Sequence, residues 1–105
     1  MVRLTRNFTA IFCSNDIAAI GAIRAIADAG LRCPDDISVI GFDDIASAAY
    51  HVPRLTTVRQ PLHSMGEIAV QTLLKRIESP EDPYPEAITF EPELIIREST
   101  TTAHP

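Results

Sequence analysis

The chain has 105 residues, and its 46% hydrophobic and 22% charged content is typical of a folded domain and excludes a disordered segment. The formal net charge is −5 and the nine basic residues are scattered, so no concentrated patch for gripping nucleic acid phosphates is present. No apolar run approaches the roughly 18 residues of a membrane helix, and no signal-peptide core follows the start, which predicts a soluble, cytoplasmic protein.

The first predicted elements are a strand, a polar loop and a helix. An apolar run at residues 9–13 is followed by Ser-Asn-Asp, three residue types that are typical helix N-caps. A helix is predicted over residues 16–29, and its nearly all-apolar surface indicates a helix that is covered on two sides. Gly30 then fits the left-handed position of a Schellman ending, with Leu31 folding back onto the last turn.

The next run, residues 37–42, is almost continuously apolar, which predicts a strand of a parallel sheet with both faces covered. Strand, helix and strand at this length predict a right-handed βαβ unit. The run ends on Asp43 and Asp44, which point to opposite sides if the strand continues through them. Only one would then face the ligand crevice that lies beyond the carboxyl ends of parallel strands, while one or both could cap the following turn.

The remaining chain is predicted to contain a loop with a brief β segment at residues 53–58, a one-sided helix and two terminal strands. Pro61 suits the first helical position and opens a helix to about Glu78. Its apolar stripe consists of Leu62, Met65, Ala69, Leu73 and Ile77. An exposed connection follows at residues 79–85, and residues 88–90 and 94–96 are predicted strands.

Four polar or aromatic residues are candidates for ligand contact, and each has a structural alternative. By pattern, Phe12 is more typical of a core residue, Asn15 is equally consistent with an N-cap alone, and Gln60 could serve only as a partner for a helix N-terminus. Asp43 is the fourth candidate. Side chains of Asn, Asp and Gln form directional hydrogen bonds, which suit a hydroxyl-rich or amide-bearing small molecule.

The sequence offers little for catalysis. It has no nucleophile elbow and no glycine-rich phosphate loop, and His51, His63 and His104 are read as having no carboxylate or cysteine at ligand spacing. The expectation is therefore no catalytic residue, no metal site and no cofactor. One alternative stays open, a Mg²⁺-dependent phosphotransfer domain in which a turn brings Asp43 and Asp44 together.

Three blocks carry a resemblance that covers residues 9–100. The strings AIFCSNDIAAIGAIRAIADAGLRCPDDISVIGFDDIASAAY, PRLTTVRQPLHSMGEIAVQTLL and PELIIREST closely resemble the C-terminal part of the effector-binding domain of the lac repressor and galactose repressor (LacI/GalR) family. The resemblance implies an α/β fold, namely a partial C-terminal subdomain of a periplasmic-binding-protein-like (type I) fold with three layers and a mainly parallel sheet. Residues 1–8 are a leader that does not match, and residues 101–105 are a tail.

The family's members are bacterial transcription regulators that bind a sugar or nucleobase effector, so the resemblance implies an effector-binding and dimerisation module that is not an enzyme. By position, Asn15 and Asp43 match the hydrogen-bonding residues of the effector site, Phe12 an aromatic that stacks on the effector, and Gln60 an occasional polar contact. Asp44 is then expected to be structural.

The resemblance also implies a homodimer interface, which would contain Ala48, Tyr50, Pro53 and Leu55. The matching region lacks the family's DNA-binding headpiece and N-terminal subdomain, so operator DNA is expected to be a partner only through that absent domain, and no membrane partner is expected. An alternative is a fragment of a periplasmic sugar-binding protein of a transport system, which shares the same core.

Overall fold

The computed structural model describes residues 7–103, so the predicted leader and tail lie partly outside the described residues. The elements in chain order are β1 (Ala10–Phe12), α1 (Asp16–Asp28), β2 (Ser38–Ile40), a 3₁₀ turn (Ala46–Ala49), β3 (Thr57–Arg59), α2 (Leu62–Glu78) and β4 (Glu93–Ile95). They form two compact units: Gln60–Pro92, which contains α2, and the rest of the described chain, which contains α1 and the four strands. No helix among residues 7–103 is both long enough and apolar enough to cross a membrane.

The predicted parallel βαβ arrangement is confirmed in the first unit. β1 pairs in parallel with β2, with Phe12 opposite Ile40, and α1 connects the two strands. A parallel bridge joins Ile40 to Thr56, and β3 pairs antiparallel with β4. The carboxyl ends of β1 and β2 therefore lie at one edge of the sheet.

Helix α1 begins and ends as its sequence predicts. Asn15 is the N-cap, and Gly30, at φ +78°, is the left-handed residue beyond the C-terminus. The Gly30 N–H donates to Ala27 O at 3.0 Å and the Leu31 N–H donates to Ile26 O at 3.0 Å, which is the hydrogen-bond pair of a Schellman motif.

The predicted coverage of α1 on two sides is wrong for this chain. One face is buried through Asp16, Ala19, Ile23 and Ile26, whereas Ile17 on the opposite face is 72% exposed. The periodicity of the sequence did not separate the faces because alanine occurs on both of them, and among the described residues only one face is packed.

A small apolar core lies between α1 and the strands of the first unit. Its side chains are Cys13, Ala19, Ile23, Ile26, Ile37, Val39, Ala48 and Leu55. Each fully buried aliphatic side chain of this kind contributes about 1.5–3 kcal/mol to the free energy of folding. Both cysteines are free, and burial raises the pKa of the Cys13 and Cys33 thiols, which favours their neutral form.

In the second unit the predicted helix is present, but the predicted strand after it is not. Pro61 is the cap residue of α2 and not its first helical residue, and no α2 side chain is buried. Residues 88–90 are not a strand: this segment lies between Pro85 and Pro92, which have no backbone N–H to donate to a ladder. At the other end of α2, the Tyr84 hydroxyl lies 2.8 Å from the carbonyl oxygens of Lys75 and Ser79.

A segment near the end of the described chain extends the sheet beside β2. Ser99 has no exposed surface; its Oγ donates to Val39 O at 2.6 Å and accepts from the Thr56 N–H at 2.8 Å. The Val39 N–H donates to Ser99 O at 2.9 Å, and the Thr101 N–H donates to the Ser38 hydroxyl at 3.0 Å. Residues 99–101 thus satisfy the backbone of β2 on the side away from β1.

Candidate functional site

The loops that follow β1 and β2 are joined by backbone hydrogen bonds at the carboxyl edge of the sheet. The Cys13 N–H donates to Ile40 O at 2.8 Å, and the Asp16 N–H donates to Phe42 O at 3.0 Å. We call these two loops, residues 12–16 and 42–45, the carboxyl edge. This pairing places Phe12, Asn15 and Asp43, three of the four candidate ligand residues, on one edge of one unit.

Phe12 is a surface residue at this edge. Its side chain is 67% exposed, so the core role that its pattern favours is wrong. Strand side chains alternate, and in β1 it is Ile11 that faces the core. An exposed phenyl ring at the end of a strand is free to stack on an apolar ligand face.

Asn15 is half-buried and caps α1. Its Oδ1 accepts from the Ala18 N–H at 2.7 Å, so the structural alternative for this residue is confirmed. The cap uses only the carbonyl oxygen of the side chain. The amide nitrogen, which can only donate, is not needed for the cap and remains compatible with a contact to a ligand oxygen.

Asp43 and Asp44 do not continue the strand, so the premise of the alternation argument is wrong. Strand β2 ends at Ile40, and the two aspartates have positive φ angles of 119° and 57°. Such conformations cost about 1–3 kcal/mol each in a residue other than glycine and cluster at ligand sites. The Asp43 N–H donates to Val58 O at 2.9 Å, and its side chain is half-buried.

Asp44 is bound to two arginines. Its carboxylate lies 2.7 Å from Arg59 Nε and 2.8 Å from an Arg97 terminal nitrogen, and only 10% of its side chain is exposed. Burial by itself would raise the pKa of Asp44, but the hydrogen bonds from Arg59 and Arg97 outweigh it and hold the pKa below its ordinary value. These contacts favour a structural role for Asp44.

The N–H that precedes the 3₁₀ turn is not bound by Asp44, whose carboxylate pairs with two arginines. The Ile45 N–H before the turn donates instead to Oδ2 of Asp16 at 2.8 Å. Asp16 has no exposed surface, and its Oδ1 accepts from the Thr57 hydroxyl at 2.5 Å. A Cβ at Gly41 would overlap this same oxygen, so glycine is required there.

Asp16 is the important residue that sequence reasoning missed. In the sequence it is only the third polar residue before a helix, and its partners Ile45 and Thr57 are 29 and 41 positions away. Gly41, inside an otherwise β-branched and aromatic run, was the available signal, because an isolated glycine in a strand often marks a close approach.

Gln60 is the fourth candidate ligand residue. It is the first residue of the second unit, where its backbone carbonyl accepts from the Leu62 N–H at 2.8 Å. Its predicted role as an occasional polar contact stays a prediction.

The four residues of the predicted dimer interface differ in their exposure. Ala48 and Leu55 are fully buried in the core and joined by a hydrogen bond from the Leu55 N–H to Ala48 O, so their side chains offer no surface to a partner. This part of the prediction is wrong. Tyr50 is 81% exposed, its neighbour Val52 is 88% exposed, and Pro53 is half-buried. The interface prediction is thereby reduced to Tyr50 and Pro53.

The described residues contain no group of three His, Cys, Asp or Glu side chains that could hold a metal ion. His63, contrary to the reading of its sequence, has a carboxylate one turn away, with Nε2 at 2.9 Å from Glu67, but both side chains are largely exposed. His51 Nδ1 lies 3.1 Å from Pro53 O. His104 lies outside the described residues.

The pairing of Asp44 with Arg59 and Arg97 weakens the alternative of a Mg²⁺-dependent phosphotransfer domain, because that alternative requires the Asp44 carboxylate to bind the metal.

Comparison with known proteins identifies the fold family. Residues 2–100 match the family described as periplasmic binding protein-like domain. The chain is 48% identical over 98 residues to the HTH-type transcriptional regulator MalR of Streptomyces coelicolor, covering 93% of this chain and 28% of that protein. The chain thus spans little more than a quarter of this relative's length.

Solved structures give the same result. A LacI family regulator of Enterococcus faecalis with bound ribose is 38% identical, with a TM-score of 0.83, over 91% of this chain and 36% of that one. The lac repressor dimer bound to operator and the anti-inducer ONPF is 35% identical, with a TM-score of 0.77, over 88% of this chain and 32% of that one. With its parallel βαβ unit and its carboxyl edge, the chain belongs to the periplasmic binding protein-like domain family, and within that family it is similar to the LacI-type regulators.

Proposed function

We propose that this chain is part of the effector-binding and dimerisation module of a LacI/GalR-type transcription regulator. The observation that carries the proposal is the carboxyl edge, where the loops after two parallel strands are hydrogen-bonded together and bear Phe12, Asn15 and Asp43. Ligands of open α/β sheets bind beyond the carboxyl ends of the strands, at such edges.

The chemistry of these side chains favours a sugar-like effector. The Asp43 carboxylate accepts hydrogen bonds from hydroxyl groups, each worth about 1.5–3 kcal/mol because the acceptor is charged. The Asn15 amide nitrogen donates to a ring or hydroxyl oxygen, and the Phe12 ring covers the apolar face of a pyranose or furanose. The ribose bound to the Enterococcus faecalis relative supports this class of ligand.

The regulator that contains this module is proposed to act in the cytoplasm as a homodimer without enzymatic activity. Its operator DNA would be bound by a domain outside the matched region, and the lac repressor, which was solved as a dimer bound to operator, supports this by analogy. Effector binding would change operator affinity through a coupling that is reciprocal between the two sites.

A substitution at Asp43 tests the proposal. In the full-length regulator, we expect Asp43→Asn to weaken binding of the effector found by a thermal-shift screen of sugars, sugar phosphates and nucleobases by about tenfold or more, because a charged acceptor is lost. Operator binding without effector should be unchanged. Isothermal titration calorimetry measures the first quantity and fluorescence anisotropy with operator DNA the second.

Asp28→Asn is the matched control, since Asp28 pairs with Arg24 on the exposed face of α1. Equal effector dissociation constants for the wild type and Asp43→Asn would refute the assignment. The alternative of a periplasmic sugar-binding protein, which shares the matched fold, is decided by the sequence encoded immediately upstream: a helix-turn-helix supports the regulator, and a signal peptide supports the alternative.

A further inference from the structure

Asp16 holds both ends of the segment that carries Asp43. On one side of this segment the Asp16 N–H donates to Phe42 O at 3.0 Å, and on the other side Oδ2 of Asp16 accepts from the Ile45 N–H at 2.8 Å. Between these contacts lie Asp43 and Asp44, both with positive φ. A strained segment persists only where the surrounding contacts over-determine it, and these are two such contacts.

Asp16 is itself fixed from inside the protein. Its side chain has no exposed surface, its Oδ1 accepts from the Thr57 hydroxyl of β3, and Gly41 packs directly against that oxygen. A carboxylate with no exposed surface cannot contact a ligand. Its effect on ligand binding must therefore pass through the backbone of residues 42–45.

We infer that Asp16 is a positioning residue, which keeps Asp43 in its left-handed conformation and so aims the Asp43 carboxylate at the ligand. This inference rests on the proposed role of Asp43 in binding the effector. It assigns the buried aspartate of the Ser-Asn-Asp segment a role different from that of its neighbour Asn15, which caps α1 and lies at the edge itself.

The first test needs no effector. The three-bond coupling between the amide proton and the α proton of Asp43, measured by NMR on this chain, reports its φ angle. We expect Asp16→Ala to shift this coupling, because no acceptor remains for the Ile45 N–H. Asp16→Asn should restore most of the wild-type value, since its amide oxygen can accept from that N–H. Ile26→Val, a core change away from the edge, controls for destabilisation.

The second test is a double-mutant cycle on effector affinity in the full-length regulator. Asp16→Ala should weaken binding about tenfold, within the range for coupled neighbours, and should have almost no further effect when Asp43 is already Asn. If Asp16→Ala does not fold, Asp16→Ser, which lacks the Oδ2 atom that accepts from the Ile45 N–H, replaces it in both tests.

Two outcomes would overturn the inference: an unchanged Asp43 coupling in Asp16→Ala, or an equal loss of affinity with and without the Asp43 carboxylate. Failure of the proposed function looks different. In that case Asp43→Asn alone leaves effector affinity unchanged, while the coupling constant still reports whether Asp16 controls the conformation of Asp43.

Discussion

Asp44 shows how a charge is retained at the end of an apolar strand. Arg59 and Arg97 both donate to its carboxylate, and Glu93 lies 3.9 Å from the other side of Arg59. The sequence suggested that one of the two adjacent aspartates is structural, but it did not show which side chains would bind its carboxylate. The arginines are 15 and 53 positions away along the chain, and no local pattern connects them to Asp44.

The pKa of Asp44 gives a pH prediction. Because this pKa is depressed in the folded state, the carboxylate stabilises the fold above the unfolded value of about 3.9, and this contribution is lost as pH falls through the folded pKa. Asp44→Asn should therefore lower the free energy of unfolding at pH 7 by about 2 kcal/mol and by much less at pH 2.

Urea titrations at the two pH values measure this difference. Asp28→Asn, at an exposed pair with Arg24, should change the free energy of unfolding by less than about 0.5 kcal/mol at pH 7. A loss in Asp44→Asn that is as large at pH 2 as at pH 7 would mean that the charge is not what stabilises this loop.

Phe12 marks the limit of sequence reasoning for single residues. Its apolar neighbours favour the core, yet the register of β1 against β2 turns it outward. The likeness to LacI/GalR sequences pointed to Phe12 where the pattern did not. The positive φ angles of Asp43 and Asp44 were equally beyond the pattern, because they depend on partners such as Val58 and Thr57 in a distant strand.

At the level of elements, local signals determine the ends of α1. Its N-cap, its Schellman ending and the parallel pairing of the flanking strands all follow from residues within a few positions of each boundary. Local sequence signals do not predict pairing or burial that depends on residues far away along the chain. Residues 88–90 have the apolar character of a strand but do not pair, and the apolar stripe of α2 does not reveal that none of its side chains is buried.

Substitution by alanine should change the free energy of unfolding in opposite directions at two glycines, one within α1 and one just after it. Gly21 lies mid-helix with open space around its Cβ position, so Gly21→Ala should stabilise the fold by about 0.5–1 kcal/mol. Gly30 also has open space, but its φ of +78° is unfavourable for alanine, so Gly30→Ala should destabilise the fold by about 1 kcal/mol. Chemical denaturation of both variants measures this, and shifts of the same sign would contradict the assigned helix end.

At the scale of the whole molecule, much apolar surface faces outward. Large exposed side chains occur on α1, on α2, at residues 50–52 and beside β4. Exposed apolar surface is common at contact sites, and the chain spans only about 28% of the length of its relative MalR. The exposed outer face of α1, with Ile17 and its alanines, is one such apolar surface.

The proposed dimerisation through Tyr50 and Pro53 gives a prediction at this scale. In the full-length regulator, Tyr50→Glu should weaken the dimer by about tenfold or more, since a buried aromatic anchor would become a charge. The free energy of unfolding of the monomer should barely change, because Tyr50 is 81% exposed. Sedimentation equilibrium measures the association constant. Ile96→Glu, at a 73% exposed position elsewhere, is the control, and an equal effect of both variants would refute a specific interface.

The position of Ser99 beside β2 affects the order in which this polypeptide can fold during synthesis. The carbonyl of Val39 is made 60 residues before the Ser99 hydroxyl that donates to it, and Ser38 is made 63 residues before its partner Thr101. At translation rates of about 5–20 residues per second, the edge of β2 that residues 99–101 later cover stays exposed to water and to other nascent chains for several seconds. Chaperone capture is most needed during that interval.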